Sequence, residues 1–269
     1  MIKGSTRLVA IIGSPVVQVK SPENFNNAFA QAGSDVAMIA MDIPSDGIDA
    51  FLSLARTWQN LDGFVVTIPH KQAIASGIDS VTQRAALLGA VNVVRRGADG
   101  QLIGDMVDGL GFVRAAESHG FTPNGREALV IGCGGAGSAI AHALCEAGVS
   151  VLAICDPDAQ RVGRLASALA AEFPQISIAT EIGDHSRYDL VANATPLGMQ
   201  AGDPLPLSAP AIALLKPTAH VADVVTSPEV TPFLAAARAR GLSIQTGPEM
   251  ARAQLGLLGA FMGVLSPGD

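Results

Sequence analysis

Apolar residues in the first hundred positions gather into short runs separated by glycine, proline and charged stretches. Leu8–Ile12, Val36–Met41 and Leu61–Thr67 are such runs, the last leading into Pro69, and they predict buried strands. Pro22–Gln31 and Asp46–Ala55, the second with acidic residues near its start, predict helices between them. Strand and helix in turn imply βαβ units and a largely parallel sheet. Asp79–Leu88 predicts another helix, and Val91–Arg96 with Gln101–Asp105 flanks Gly97–Gly100 as a hairpin. The glycine-rich stretch Gly104–Gly111 leads into a short amphipathic helix ending near Gly120, and a lobe boundary is placed there.

The second lobe opens on a strand at Ala128–Ile131, a glycine loop, and a helix to Ala147 closed by Gly148. A strand at Val149–Cys155 and a helix at Arg161–Glu172 follow. Further strands are expected at Leu190–Ala194 and His220–Val225, separated by a proline-rich stretch from Pro196 to Pro217. The last helix, Glu249–Leu265, is apolar at close intervals and is expected to pack back on the first lobe. The pattern therefore predicts an α/β protein of two lobes, residues 1–107 joined by 240–269, and residues 108–239.

Composition agrees with that division. A chain of 269 residues is long for one core. With 49% hydrophobic and 15% charged residues, it suits a parallel sheet wrapped in helices. The formal charge of −7, without a Lys/Arg cluster, excludes nucleic acid as an expected partner. No apolar run is long enough for a membrane span, so no membrane partner is expected. Met1–Arg7 precedes a short apolar stretch broken by Gly13 and Pro15, which reads as a first strand and not a secretion signal. Cys133, Cys145 and Cys155 lie inside apolar segments without metal-ligand or redox spacing. Structural thiols, no metal site and a cytoplasmic location are expected.

The loop Gly132-Cys133-Gly134-Gly135-Ala136-Gly137 follows a predicted strand and opens a predicted helix, the context that a dinucleotide fingerprint requires. The first glycine allows the tight turn, the second a close approach to pyrophosphate, and the third close packing of helix on strand. Asp156 ends the next strand, 156 − 137 = 19 residues beyond the last glycine, where a carboxylate can accept from a ribose 2′-hydroxyl. A 2′-phosphate beside Asp156 and Asp158 would meet like charge, although Arg161 and Arg164 could reach back, so NAD is expected over NADP. A methyltransferase using S-adenosylmethionine shares the glycine-rich turn and acidic strand end; Gly137 fits a pyrophosphate better.

Several ordered motifs point further. They are Gly13-Ser14-Pro15-Val16-Val17-Gln18-Val19-Lys20-Ser21-Pro22, Val65-Val66-Thr67-Ile68-Pro69-His70-Lys71, Gly89-Ala90-Val91-Asn92-Val93 and Met106-Val107-Asp108-Gly109. Asn193-Ala194-Thr195-Pro196-Leu197-Gly198-Met199 follows, then Asp223-Val224-Val225 with Thr231-Pro232, and Gly247 with Met250 and Gln254. Through these motifs the chain resembles the shikimate dehydrogenase family over nearly its whole length.

The resemblance implies a substrate lobe and a Rossmann lobe with the site between them. It implies Lys71 and Asp108 as the catalytic pair, with Ser21, Thr67, Asn92 and Gln254 around the substrate. The cofactor would be held by Gly132, Gly134, Gly135, Ala136, Gly137, Asp156, Asn193, Ala194, Thr195, Met199, Val224 and Gly247. Ketone reduction needs a hydride on carbon and a proton on oxygen, and alcohol oxidation needs the reverse, so one group acts as acid and base in turn.

Departures from the family pattern bear on the substrate. Val19 stands where the family has the first of two serines that grip a carboxylate, leaving Ser21; Val65 replaces an asparagine, Met106-Val107 an Asn-Thr pair, and Thr226 a tyrosine. The expected substrate is shikimate, quinate or a related cyclic hydroxy acid, with NAD favouring the oxidative direction. The competing expectation is a non-catalytic NAD-binding sensor on the same scaffold. A homodimer stays open.

Overall fold

The computed structural model describes residues 2–266. The chain divides into two compact units, Met1–Val107 with Gln254–Asp269, and Asp108–Ala253.

In unit 1 the elements are β1 (Arg7–Gly13), α1 (Ser21–Ala32), β2 (Val36–Asp42), α2 (Ile48–Thr57), β3 (Leu61–Val66), α3 (Lys71–Gly77), β4 (Ser80–Val81), α4 (Gln83–Leu88), β5 (Val93–Arg96) and β6 (Leu102–Asp105). The six strands lie in the order β2-β1-β3-β5-β6-β4. Val9, Ala10, Ile11 and Ile12 of β1 are all buried, which explains an unbroken apolar run: both faces of the strand are covered. The β2, β1 and β3 pairings are parallel, and β5 runs antiparallel to both β3 and β6. The Gly97 amide donates to the Gln101 carbonyl at 2.8 Å, and Gly100 adopts φ 87°, so glycine closes this hairpin.

The helix expected over Asp79–Leu88 forms only from Gln83. Ser80 and Val81 instead pair with Ile103 and Gly104 of β6. Thr82 caps the shortened helix, its hydroxyl accepting from the Ala85 amide at 3.4 Å while donating to Asp105. The open edge of β6 captures residues whose local pattern suits either state. The seven-residue α3, with only Ile74 buried, is too short to leave a periodic signal.

Unit 2 comprises α5 (Asp108–Ser118), β7 (Glu127–Ile131), α6 (Gly135–Glu146), β8 (Val151–Cys155), α7 (Ala159–Glu172), β9 (Ser177–Ala179), β10 (Leu190–Asn193), α8 (Ala209–Leu214), β11 (His220–Asp223), α9 (Pro232–Ala239), β12 (Ser243–Gln245) and the start of α10 (Gly247–Met262). The sheet is parallel throughout, in the order β12-β11-β10-β7-β8-β9. Alternate residues feed two cores. Ala128, Val130, Leu152 and Ile154 join one, with α5 to α7; Leu129, Ile131, Ala153 and Val191 join the other, with α8 and α9. The order reverses between β7 and β10, and doubly wound sheets bind ligands at the carboxyl ends of their strands at such a point.

The return to unit 1 was expected from residue 240. Instead Ser243–Gln245 adds a strand beside β11, and unit 1 resumes only at Gln254, within α10. There Gly63 admits the helix: a Cβ on it would lie 2.9 Å from Met262 Cγ.

His220 of β11 is buried, with Nδ1 2.9 Å from Ser243 Oγ and Nε2 3.1 Å from Gln245 Oε1. Burial, against a smaller opposing effect from Gln245 and aided by nearby His119, holds this imidazole below its ordinary value. It thus stays neutral in the fold while the unfolded chain protonates below about pH 6.5, so its stability contribution is present above that pH and falls as pH drops toward the folded value. Melting temperature should decline from about pH 7.5 to about pH 5.5, and His220→Gln, though less stable at every pH, should flatten that decline in a calorimetric series. An unchanged slope would show that other groups carry it.

Candidate active site

Four backbone hydrogen bonds draw the motif residues of unit 1 together at one end of its central strands. The Thr67 amide donates to Ile12 O at 2.9 Å and the Ser14 amide to Ile68 O at 3.0 Å; the Val66 amide donates to Asn92 O at 2.8 Å and the Val91 amide to Lys71 O at 3.0 Å. Thr67, Lys71 and Asn92 are thereby held side by side, beyond the ends of β1 and β3 and before the start of β5. Gly13 makes the approach possible, since a Cβ there would stand 2.4 Å from Thr67 Cγ2. His70 is buried with Nε2 2.7 Å from the Ile43 carbonyl, a structural bond, and Lys71 follows as the first residue of α3.

Ser21 opens α1, and Val19, half-buried, precedes it; the Gln18 amide side chain turns back to Pro15 O at 2.9 Å. Gln254 is half-buried on the unit 1 portion of α10. Asn92 is buried, and its Oδ1 accepts from the Val107 amide at 2.8 Å, ordering the segment that leads to Asp108. Asp108 itself begins α5 and unit 2.

In unit 2 the glycine loop forms at the switch point. Gly132, at φ 99°, would place a Cβ 2.9 Å from the Ala194 backbone, and Gly137 would place one 1.8 Å from Gly132 O. Those two glycines serve the protein's own packing. Gly134 and Gly135 differ: a Cβ on either meets nothing within 4 Å, so the loop is open above the N-terminus of α6, with Ala136 in its first turn. Amide groups at a helix start attract anions, and this cradle fits a pyrophosphate.

Asp156 holds the loop from below. Its Oδ2 accepts from the Cys133 amide at 2.8 Å and its Oδ1 from the Asp158 amide at 2.9 Å, while Arg161 Nη1 lies 3.3 Å from Oδ2. Partial burial pushes its carboxyl up, but the two amides and Arg161 outweigh that and hold it below the ordinary range.

The turn after β10 is built around buried Asn193. Its Oδ1 accepts from the Thr195 amide at 3.0 Å and hydroxyl at 2.7 Å; its Nδ2 donates to Asp223 Oδ1 at 3.0 Å and Leu197 O at 3.2 Å. Asp223 also accepts from the Val225 amide and from Thr231, and burial raises its carboxyl above the usual value despite those bonds. Ala194 packs on the glycine-loop core, Met199 is exposed at 58%, and the Val224 amide donates to Asn193 O at 3.0 Å. Gly247 is forced by the backbone: a Cβ would lie 2.4 Å from Val225 O. Thr226 is exposed on the following turn. Reading the chain alone gave Asp105 no role and named Thr231 only within a motif, because burial is what makes an acid or a hydroxyl structural here.

With this geometry in hand, comparison with known proteins is direct. A family profile described as "Shikimate dehydrogenase substrate binding domain" matches residues 11–94. The chain is 38% identical over 257 residues to "Shikimate dehydrogenase (NADP(+))" of Rubrobacter xylanophilus, covering 93% of this chain and 88% of that one. The protein belongs to the shikimate dehydrogenase family. A 5-ketofructose reductase of Gluconobacter sp. strain CHM43 superimposes with a TM-score of 0.89 at 25% identity, covering 98% of this chain and 95% of that one. A quinate dehydrogenase from Corynebacterium glutamicum in complex with NAD gives 0.86 at 28%, covering 97% and 95%.

Membership corrects the cofactor expectation. Other relatives at 36 to 38% identity are also named shikimate dehydrogenase (NADP(+)), and this overturns the preference for NAD. The like-charge argument weighed Asp156 and Asp158 above the chance that Arg161 or Arg164 reaches back. In the fold both Asp156 oxygens accept backbone amides and Arg161 stands against them, bringing positive charge to the place where repulsion was expected. No helix among the described residues is long and apolar enough to cross a membrane.

Proposed function

We propose that this shikimate dehydrogenase family oxidoreductase uses NADP to interconvert a ring hydroxyl and a ketone on shikimate, quinate or a related cyclic polyol acid. The observation that carries the reading is the tethering of Thr67, Lys71 and Asn92 at one end of the central strands of unit 1. NADP, held by the open glycine cradle, supplies the acceptor or donor of hydride. Thr67 and Asn92 orient the substrate hydroxyls, and Lys71 takes the proton from the reacting hydroxyl in oxidation and returns it in reduction. Asp108 keeps the Lys71 side chain aligned for both directions. The unit containing β1 to β6 then binds substrate and the unit containing β7 to β12 binds cofactor.

Val19 tunes which acid is accepted. Without a hydroxyl at that position one charge-assisted hydrogen bond to a carboxylate is lost, roughly 1.5–3 kcal/mol, or about tenfold to a hundredfold in affinity. The likeness to a 5-ketofructose reductase supports a scaffold that tolerates substrates with other ring substituents. Val19→Ser is expected to lower KM for shikimate by about tenfold or more with kcat little changed. Turnover of shikimate, quinate and amino-substituted analogues, each with NADP and with NAD, tests the assignment. Calorimetric binding of the dinucleotide with no turnover on any polyol acid would favour the sensor instead.

A further inference from the structure

We infer that Asp105, clamped by Arg84 and Thr82, is a positioning residue that sets the backbone leading to Asp108. The inference rests on the acid–base pair of the proposed function.

Asp105 ends β6 and is 2% exposed. Arg84 grips it with two prongs, Nε to Oδ1 and Nη2 to Oδ2, both 2.8 Å. The Thr82 hydroxyl donates to the same Oδ1, and the Met106 amide donates to it at 2.7 Å. The next amide, Val107, is taken by Asn92 Oδ1 at 2.8 Å. Two consecutive backbone N–H groups are thus held by two buried side chains, and Asp108 follows directly in the chain. Met106 and Val107 are buried as well, at 2% and 3%, so the segment is fixed from both its polar and its apolar sides.

The same network reaches the lysine. The Asn92 amide donates to Asp105 O at 2.9 Å, and its neighbour Val91 donates to Lys71 O at 3.0 Å. Through residues 91 and 92 the backbone of Lys71 and the segment before Asp108 share one frame. A bidentate guanidinium resists rotation of the carboxylate as a lysine or a neutral donor would not. Burying the Asp105 carboxylate against a partly buried guanidinium for packing alone is inefficient, since a hydrophobic replacement is often as stable. Proton transfer, by contrast, is sensitive to misplacement of about 1 Å.

Steady-state kinetics per folded molecule, the pH profile of kcat, dinucleotide affinity and amide hydrogen exchange at Met106 and Val107 test this in Asp105→Asn and Arg84→Lys. Asp105→Asn is expected to lose about tenfold to a hundredfold in kcat, with KM and dinucleotide affinity within about twofold, a displaced pH profile and faster exchange at both amides. Arg84→Lys, retaining charge without the fork, should lose less, about tenfold or under. Parental kcat and pH profile in a folded variant, with only the melting temperature lowered, would overturn the role. Should Asp105→Asn not fold, Arg84→Lys decides by the same readings. Lys71→Met run alongside separates the two ideas: its inactivity beside parental Asp105→Asn removes the positioning role alone, whereas retained turnover removes the acid–base pair. If the parent turns over none of the acids, unchanged amide exchange in the variants overturns the clamp by itself.

Discussion

Lys71→Met is expected to lower kcat by about a thousandfold while leaving dinucleotide affinity intact, because general acid–base groups contribute roughly 10²–10⁴. Methionine keeps the length and apolar stem of lysine but can neither take nor give a proton. The Lys71 backbone is secured through its carbonyl to Val91, so the change should not disturb the strand ends beside it. The proposed dinucleotide cradle, residues 132–137, belongs to the other unit, so binding should survive. Kinetics paired with calorimetry checks both halves. Turnover within tenfold of the parent would remove Lys71 from the chemistry.

The second large effect concerns Gly134. Its φ of −72° suits any residue, and a Cβ on it meets no protein atom within 4 Å. Gly134→Ala should therefore melt close to the parent, within the roughly 0.5 kcal/mol typical of substitutions that disturb no special feature. It should nevertheless weaken NADP binding by about tenfold or more, about 1.4 kcal/mol, because the new methyl group occupies the approach of the pyrophosphate. Gly137→Ala gives the contrast. With its Cβ 1.8 Å from Gly132 O, it damages the fold itself. If Gly134→Ala binds NADP as tightly as the parent, the open cradle is not the pyrophosphate site.

The contrast between these glycines was legible in the loop's spacing. All belong to one recognisable loop, and spacing alone named them. Spacing also assigned Gly132 to the turn, Gly134 to the approach of a pyrophosphate and Gly137 to helix–strand packing; only the fold gave the distances, and only the fold showed that Gly135 faces open space as well. Legibility stopped at Asp156. Its distance along the chain suggested a ribose acceptor and hence NAD, but the fold commits both oxygens to amides and sets Arg161 beside them. A carboxylate's partners depend on which chain segments return to it, and position along the chain does not carry that.

The amino-acid sequence by itself determined the alternation of buried strands and helices and the glycine loop between β7 and α6, which follow from local periodicity and residue chemistry, while the motif residues Thr67, Lys71, Asn92 and Asp108 were named through the family resemblance. Tertiary structure alone decided that Ser80–Val81 would leave the expected helix for the edge of β6, and that Ser243–Gln245 would stay with the second sheet. It alone paired Arg84 with Asp105 and Asn193 with Asp223. Each outcome depends on long-range partners. An open strand edge or a buried opposite charge stabilises a segment by an amount comparable with its local preference, and the sequence near that segment records neither.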